Sequence, residues 1–333
     1  MARIIMNSKD IIESEPILRG NSSRFVMFPK QYSDIWTMYK KHEASFWTAE
    51  KLDLSQDLQD WENLTDNEKY FIKNILAFFA ASDRIVLENL ATKFFCEVQI
   101  PEARAFYGFQ IVIENIHSGA YSMLIDTYIT DAQEKTMLLN DIIHLPSIKK
   151  KADWALKWVN NSDSFAQRLV AYAIIEGIFF SGSFCAIFWV KKRSLMPGLT
   201  SSNKLISRDK SFHTDFSCLL YSHLVNKLSQ DQINELICEA IEIEKEFIIE
   251  TLPVEIIGMN SRLMSQYLEF ISDRLLIALG YDKLYRALNP FEWMEIIPIQ
   301  YKTNFIENRV NECQKTGVMA KKDEQMFKID MEF

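Results

Sequence analysis

An all-α fold, a bundle of long helices, follows from three features of the chain. Only 9 Gly and 8 Pro punctuate 333 residues, 48% of the residues are hydrophobic, and apolar side chains recur at three- and four-residue spacing over stretches too long for strands. So much apolar sequence is ample for one large buried core in a single long domain.

Residues 1–23 are polar and irregular and read as a flexible arm. An aromatic-dense segment follows, with a short helix from about Tyr32 to Glu43 and then Trp47 in SFWTAE, which by itself reads as a core residue. Thr65 with Glu68 three residues later forms a capping box. The helix it opens carries Phe71, Ile75, Phe78 and Phe79 on one stripe leading into Asp83. Pro101 starts the next helix, in which Glu114, His117 and Tyr121 share a face. Shorter helices are expected over 133–142 and 147–158. A long one around Glu176 then ends near Lys192, with Met196, Pro197 and Gly198 as a turn. Further helices are expected over 201–228, 229–251 and 261–279. The division is therefore an arm at 1–23, a helical domain over 24–300 and a flexible tail over 301–333.

A net charge of -8 and a pI of about 5.3 give no electrostatic footprint for nucleic acid, and the triplet Lys149 to Lys151 reads as solvated surface. Leu169 to Val190 is long and apolar enough to resemble a membrane span, but Glu176 near its middle would cost about 2.5–3.5 kcal/mol in lipid, so a buried central helix is expected and no membrane. The five cysteines are scattered and odd in number. Cys185, Cys218 and Cys238 read as reduced core residues, and the expected location is cytoplasmic.

Two short motifs carry the chemistry. Glu114-x-x-His117 has the spacing with which bundle helices present a carboxylate and an imidazole to a metal, and Lys210-x-x-His213 is the same motif with a cation in place of the carboxylate. Asp83 and Glu176 are lone acids inside apolar runs, where a carboxylate must be paired, protonated or metal-bound. Such oxygen-rich ligation with one imidazole per ion suits iron or manganese better than zinc. Outside that setting Tyr121, His117 and His213 read as satisfied core residues. His42, His144 and His223 lack ligand spacing and stay unassigned.

With these residues in view, the chain resembles the small subunit of class I ribonucleotide reductase from end to end. The stretches that carry the resemblance are RFVMFP, ASFWTAE, LAFFAASD, FYGFQ, ENIH with Tyr121 four residues on, EGIFFSGSF, KKRSLMPGL, ISRD and the terminal acidic Phe tip. The resemblance implies a ferritin-like helical bundle that dimerises and uses a di-iron centre to make a tyrosyl radical for a large subunit that reduces ribonucleoside diphosphates. Carried over by motif, Asp83, Glu114, His117, Glu176 and His213 would be metal ligands and Tyr121 the radical site. Phe180, Phe184 and Ile206 would shield it, and Trp47 and Asp209, with His117, would form the transfer route. Phe327, Ile329, Asp330 and Phe333 in the tail would dock the large subunit.

Two departures make the chain a divergent member. The family's second bridging Glu is Lys210, and its tail tyrosine is Cys313. A charged Lys has three donors and no lone pair, so one bridging carboxylate is lost and a positive charge gained. The expectation is an auxiliary small subunit with no metal or one iron or manganese ion. Lys210 would fill the vacated position against Glu114 and Glu176, and Tyr121 would hydrogen-bond Asp83. The partners expected are the large subunit and another small subunit, as heterodimer or homodimer. The rival expectation is an active subunit with an atypical mono- or di-metal site and a radical at Tyr121.

Overall fold

The computed structural model describes residues 14–20, 25–89, 93–142, 144–160, 162, 164–251, 260–291 and 294. Two units are distinguished, Met1–Pro290 and Phe291–Phe333, and the helices belong to the first. The expectations for Cys313, Phe327, Ile329, Asp330 and Phe333 fall outside the described residues.

The longer helices described in the first unit are α1 Ser33–Glu43, α2 Ser55–Asn63, α3 Asp66–Asn89, α4 Pro101–Tyr128, α5 Ala132–Ile142, α6 Pro146–Ala155, α7 Phe165–Gly177, α8 Ser181–Lys192, α9 Pro197–Ser222, α10 Gln230–Thr251 and α11 Ser261–Leu279. No strand occurs among the described residues. Helix α3 packs along α4 and α7 along α9, so these four surround the centre of the core; α1 lies across α4 and α9, and α10 packs on α6 and α11.

Local chemistry sets the ends. The Glu68 amide donates to Thr65 Oγ1 and the Thr65 amide to Glu68 Oε2 at 2.8 Å, the expected capping box. Asn260 accepts from the Leu263 amide to start α11, and Gly280, at φ 89°, ends it with the Tyr281 amide reaching back to the Leu276 carbonyl. Helix α2 carries only a weak signal in the sequence: Leu58 and Trp61, its two apolar residues, share a face, but its only buried residue is Asp57.

Helix α9 runs over Pro197–Ser222 rather than 201–228. Pro197 is a helical residue, not part of a turn: Met196 is left-handed at φ 53°, and the buried Asp57 carboxylate accepts the Gly198 and Leu199 amides at 2.7 Å each. Any Cβ on Gly198 would meet the Asp53 carbonyl at 2.5 Å. At the other end Glu15 accepts the Val225 and Asn226 amides, and within the segment read as an arm Ile17 is fully buried.

The long apolar stretch is two helices rather than one. The Ile178 and Phe179 amides both point to the Ile174 carbonyl, while Lys151 Nζ donates to the Phe179 carbonyl at 3.0 Å, stabilising the break between α7 and α8. Lys151 is accordingly buried rather than part of a solvated triplet, its charge matched by Glu244 of α10. The stretch Phe165–Lys192 is 94% buried over its most apolar window, so it is the centre of the bundle. Cys185 and Cys218 are buried as expected. Cys238 is exposed, because it sits on the outer face of α10.

Candidate functional site

The four central helices bring the sequence-derived candidates to one place. Asp83 comes from α3, Glu114, His117 and Tyr121 from α4, Glu176 from α7, and Asp209, Lys210 and His213 from α9, each at most 2% exposed. Asp83, Glu114 and His117 form one group able to converge on an ion, and Glu114, Glu176 and His213 another, with Glu114 common to both.

Lys210 stands between them. Its Nζ lies 2.9 and 3.1 Å from the Glu114 oxygens, 3.0 Å from Asp83 Oδ1 and 3.3 Å from Glu176 Oε2. The sequence pointed to Glu114 and Glu176; Asp83 is the additional partner. Burial alone would lower the pKa of Lys210, but the three carboxylates outweigh it and raise it. Glu114 responds in kind: burial pushes it up, and Lys210 with His117 holds it well below the usual carboxylate range. Asp83 is left at about 6, because burial outweighs the pull of Lys210.

The imidazoles are tied to the same acids. His213 Nδ1 is 2.9 Å from Glu114 Oε1 and 3.6 Å from Glu176 Oε2, and His117 Nδ1 is 3.2 Å from Glu114 Oε2. On its other side His117 Nε2 is 3.1 Å from Asp209 Oδ2, and Trp47 Nε1 donates to that same oxygen at 2.7 Å. Arg208 donates to Asp209 Oδ1 and to the Ser45 carbonyl. Burial raises Asp209, but His117 and Arg208 bring it down to about 2; burial lowers His117, but Glu114 and Asp209 raise it to about 9. A Trp47–Asp209–His117 line is therefore continuous and ends at the acid cluster.

One expectation is corrected. The Tyr121 hydroxyl makes no hydrogen bond among the described residues, and Asp83 instead faces Lys210. The Tyr121 ring stacks on Phe79 at a centroid distance of 4.9 Å, with Phe184 at 5.1 Å and Phe180 at 6.0 Å from Phe79 in turn. Phe180 also lies over Lys210, 4.5 Å from Nζ, and Ile206 is fully buried. Sequence reasoning had Phe79 only as core. It left His42 unassigned, whose ring enters from α1 and stands 4.9 Å from that of His213. No spacing rule links those two residues.

Comparison with known proteins identifies the family and the fold. Residues 24–290 match the family model described as "Ribonucleotide reductase, small chain". The ribonucleoside-diphosphate reductase small subunit of Dictyostelium discoideum is 62% identical over 321 residues, covering 96% of this chain and 95% of that protein. Subunit M2 of the same enzyme from Homo sapiens is 58% identical over 323 residues, covering 97% and 83%. The solved structure of the Rnr4 homodimer from Saccharomyces cerevisiae superposes with a TM-score of 0.82 at 44% identity, covering 92% of this chain and 95% of that one. The bundle is thus of the ferritin-like type expected. With the match spanning nearly all of the helical domain, the chain therefore belongs to the family of ribonucleotide reductase small chains.

Proposed function

We propose that this chain is an auxiliary small subunit of ribonucleoside-diphosphate reductase, one that does not build a paired-metal centre of its own. The observation that carries the reading is the Lys210 ammonium, within 3.3 Å of three carboxylates that a pair of ions would share. An ammonium offers no lone pair, and it already occupies the oxygens on which two ions would depend. Its charge opposes a second divalent cation at contact distance in a low-dielectric site. Charged Lys210 and a pair of divalent ions do not fit together. No radical-forming step is therefore assigned to Tyr121, whose hydroxyl also lacks a hydrogen-bonded base among the described residues.

What remains is a folded bundle whose buried acids are neutralised from within. Such a bundle keeps the surfaces of its family while leaving radical generation to another subunit. Its role is to pair with a metal-competent small subunit and to present a tail, Phe327 to Phe333, to the large subunit; Cys313 in place of a relaying tyrosine supports the same reading. The dimeric state named for the 44% identical yeast relative supports pairing between small subunits.

Mixing tests this directly. Purified chain added to a metal-loaded small subunit is expected to form a mixed dimer on sedimentation and to raise nucleotide reduction by the large subunit above that of the partner alone. Full reductase activity from this chain and the large subunit, with no other small subunit present, would refute the reading.

A further inference from the structure

Helix α6 presents Ile148, Ala152 and Ala155 on one face, and Ile175 of α7 stands across from them with Phe179 and Phe180 at the α7–α8 break; together they line a cavity of about 40 Å³. Both walls are irregular. Helix α6 passes into a π-helical turn at Leu156–Asn160, and α7 ends where the Ile178 and Phe179 amides share the Ile174 carbonyl. Two interrupted helices do not keep the close interdigitation of regular ones, and space is left between them.

The cavity exceeds the roughly 10–15 Å³ that a water needs, but a water also needs two to four polar partners. The lining side chains supply few. Lys151 Nζ is matched by Glu244 at 2.5 Å and donates to the Phe179 carbonyl, and the Tyr172 hydroxyl accepts from Gln110 at 2.9 Å. The Ser82 hydroxyl is the one other polar side-chain group in the lining. An ion would give up its hydration with no unmatched charge to face, since Lys151 is already balanced.

We propose that this cavity binds one small, neutral, apolar molecule, with room for about three water-sized spheres. Size limits the guest. The space is well below the roughly 150 Å³ in which an apolar protein cavity takes up benzene, so an aromatic ring is excluded and a diatomic gas or a xenon atom fits. Affinity comes from removing the guest from water and from dispersion contacts with the rings of Phe78, Phe179 and Phe180. Ser82 and Ala152 are only half-buried and mark the end nearest the surface. At the inner end stands Phe180, whose ring lies 4.5 Å from Lys210 Nζ, so one phenyl ring separates the guest from the acid cluster. Neither Lys210 nor its acids line the cavity, and the assignment does not rest on the auxiliary reading.

Xenon is the probe. The full chain, labelled at its Ile and Ala methyl groups, is titrated with dissolved xenon and followed by NMR. The expected result is a saturable shift of the Ile148, Ala152, Ala155 and Ile175 methyls, fitting one xenon per chain, and one anomalous peak beside Phe179 and Phe180 in crystals held under xenon pressure. Ala155→Val, which adds two methyl groups to the wall, should weaken binding at least tenfold. Ile148→Val, which enlarges the cavity by one methylene, should keep it, so the test stands even where Ala155→Val does not fold. No saturable shift at these methyls, equal binding by a folded Ala155→Val, loss of binding in Ile148→Val, or an ordered water in the cavity that xenon does not displace each overturns the site. Any of these leaves the auxiliary reading untouched, since that reading is decided by mixing with a second small subunit.

Discussion

Lys210 Nζ is hydrogen-bonded to both carboxylate oxygens of Glu114, at 2.9 and 3.1 Å, so the one acid common to both candidate ligand groups is held by an ammonium. Asp83 and Glu176 complete the shell, and Phe180 covers it. A tethered monovalent cation thereby balances acids that would otherwise repel one another in the core.

Removing that cation should be costly unless something replaces it. Lys210→Met removes the cation that three buried carboxylates share and is expected to lower stability by about 3–5 kcal/mol at neutral pH. The deficit should shrink on acidification, as the released carboxyls take up protons. Denaturant melts at two pH values measure both; a neutral effect at pH 7 would show that Lys210 is not the counter-ion described.

Restoring a carboxylate should restore metal uptake. Lys210→Glu adds an oxygen donor and removes the charge, so elemental analysis after iron loading should find about two ions per chain. Uptake no greater than in the unaltered chain would place the block elsewhere.

The acid–imidazole pairs predict a pH profile. His117 is held at about 9, above its ordinary value of 6.5, so its contribution is fully present below 6.5 and is lost as pH rises through 9; its size is on the order of 3 kcal/mol. Asp209, held near 2, contributes above its ordinary value of 3.8 and is lost as pH falls towards 2. Asp83 runs the other way, subtracting stability as pH climbs from 3.8 to about 6. Between pH 7 and 10 the chain should therefore lose stability that His117→Gln does not lose; parallel profiles for the two proteins would contradict this.

A second buried pair predicts strong coupling. Lys151 Nζ is 2.5 Å from Glu244, 3.6 Å from the Phe247 ring centre and 4.1 Å from that of Phe78, while holding the Phe179 carbonyl at the α7–α8 break. Lys151→Met or Glu244→Leu alone should cost about 3–5 kcal/mol, and the double variant much less than their sum. An additive cycle would mean that the pair is solvated in solution.

Gly198→Ala should destabilise by about 1–3 kcal/mol, since the new methyl collides with the Asp53 backbone carbonyl at 2.5 Å, which cannot move aside as the Leu54 side chain at the same distance can. Unchanged stability would mean that the Asp57 cap of α9 can shift freely.

Much of this was legible in the sequence where local rules apply. The capping box at Thr65, Pro101 at the start of α4, and the three-residue spacing of Glu114 with His117 and of Lys210 with His213 depend on neighbours along one helix, and each stands where expected. What sequence missed depends on contacts across the fold. The α7–α8 break is held by Lys151 from α6, the start of α9 by Asp57 from α2, and the setting of His42 by three rings from α4 and α9. Tyr121 lost its expected hydrogen bond for a related reason: the acid meant for it is turned to Lys210 from another helix.

The central claim is tested most directly by the anomalous scattering of iron, or of manganese, from crystals of the unaltered chain grown with a saturating supply of the metal. The account predicts density for the Lys210 side chain between Glu114, Asp83 and Glu176 and no pair of anomalous peaks there. Two well-occupied peaks flanking Glu114, with the Lys210 side chain displaced, would contradict it.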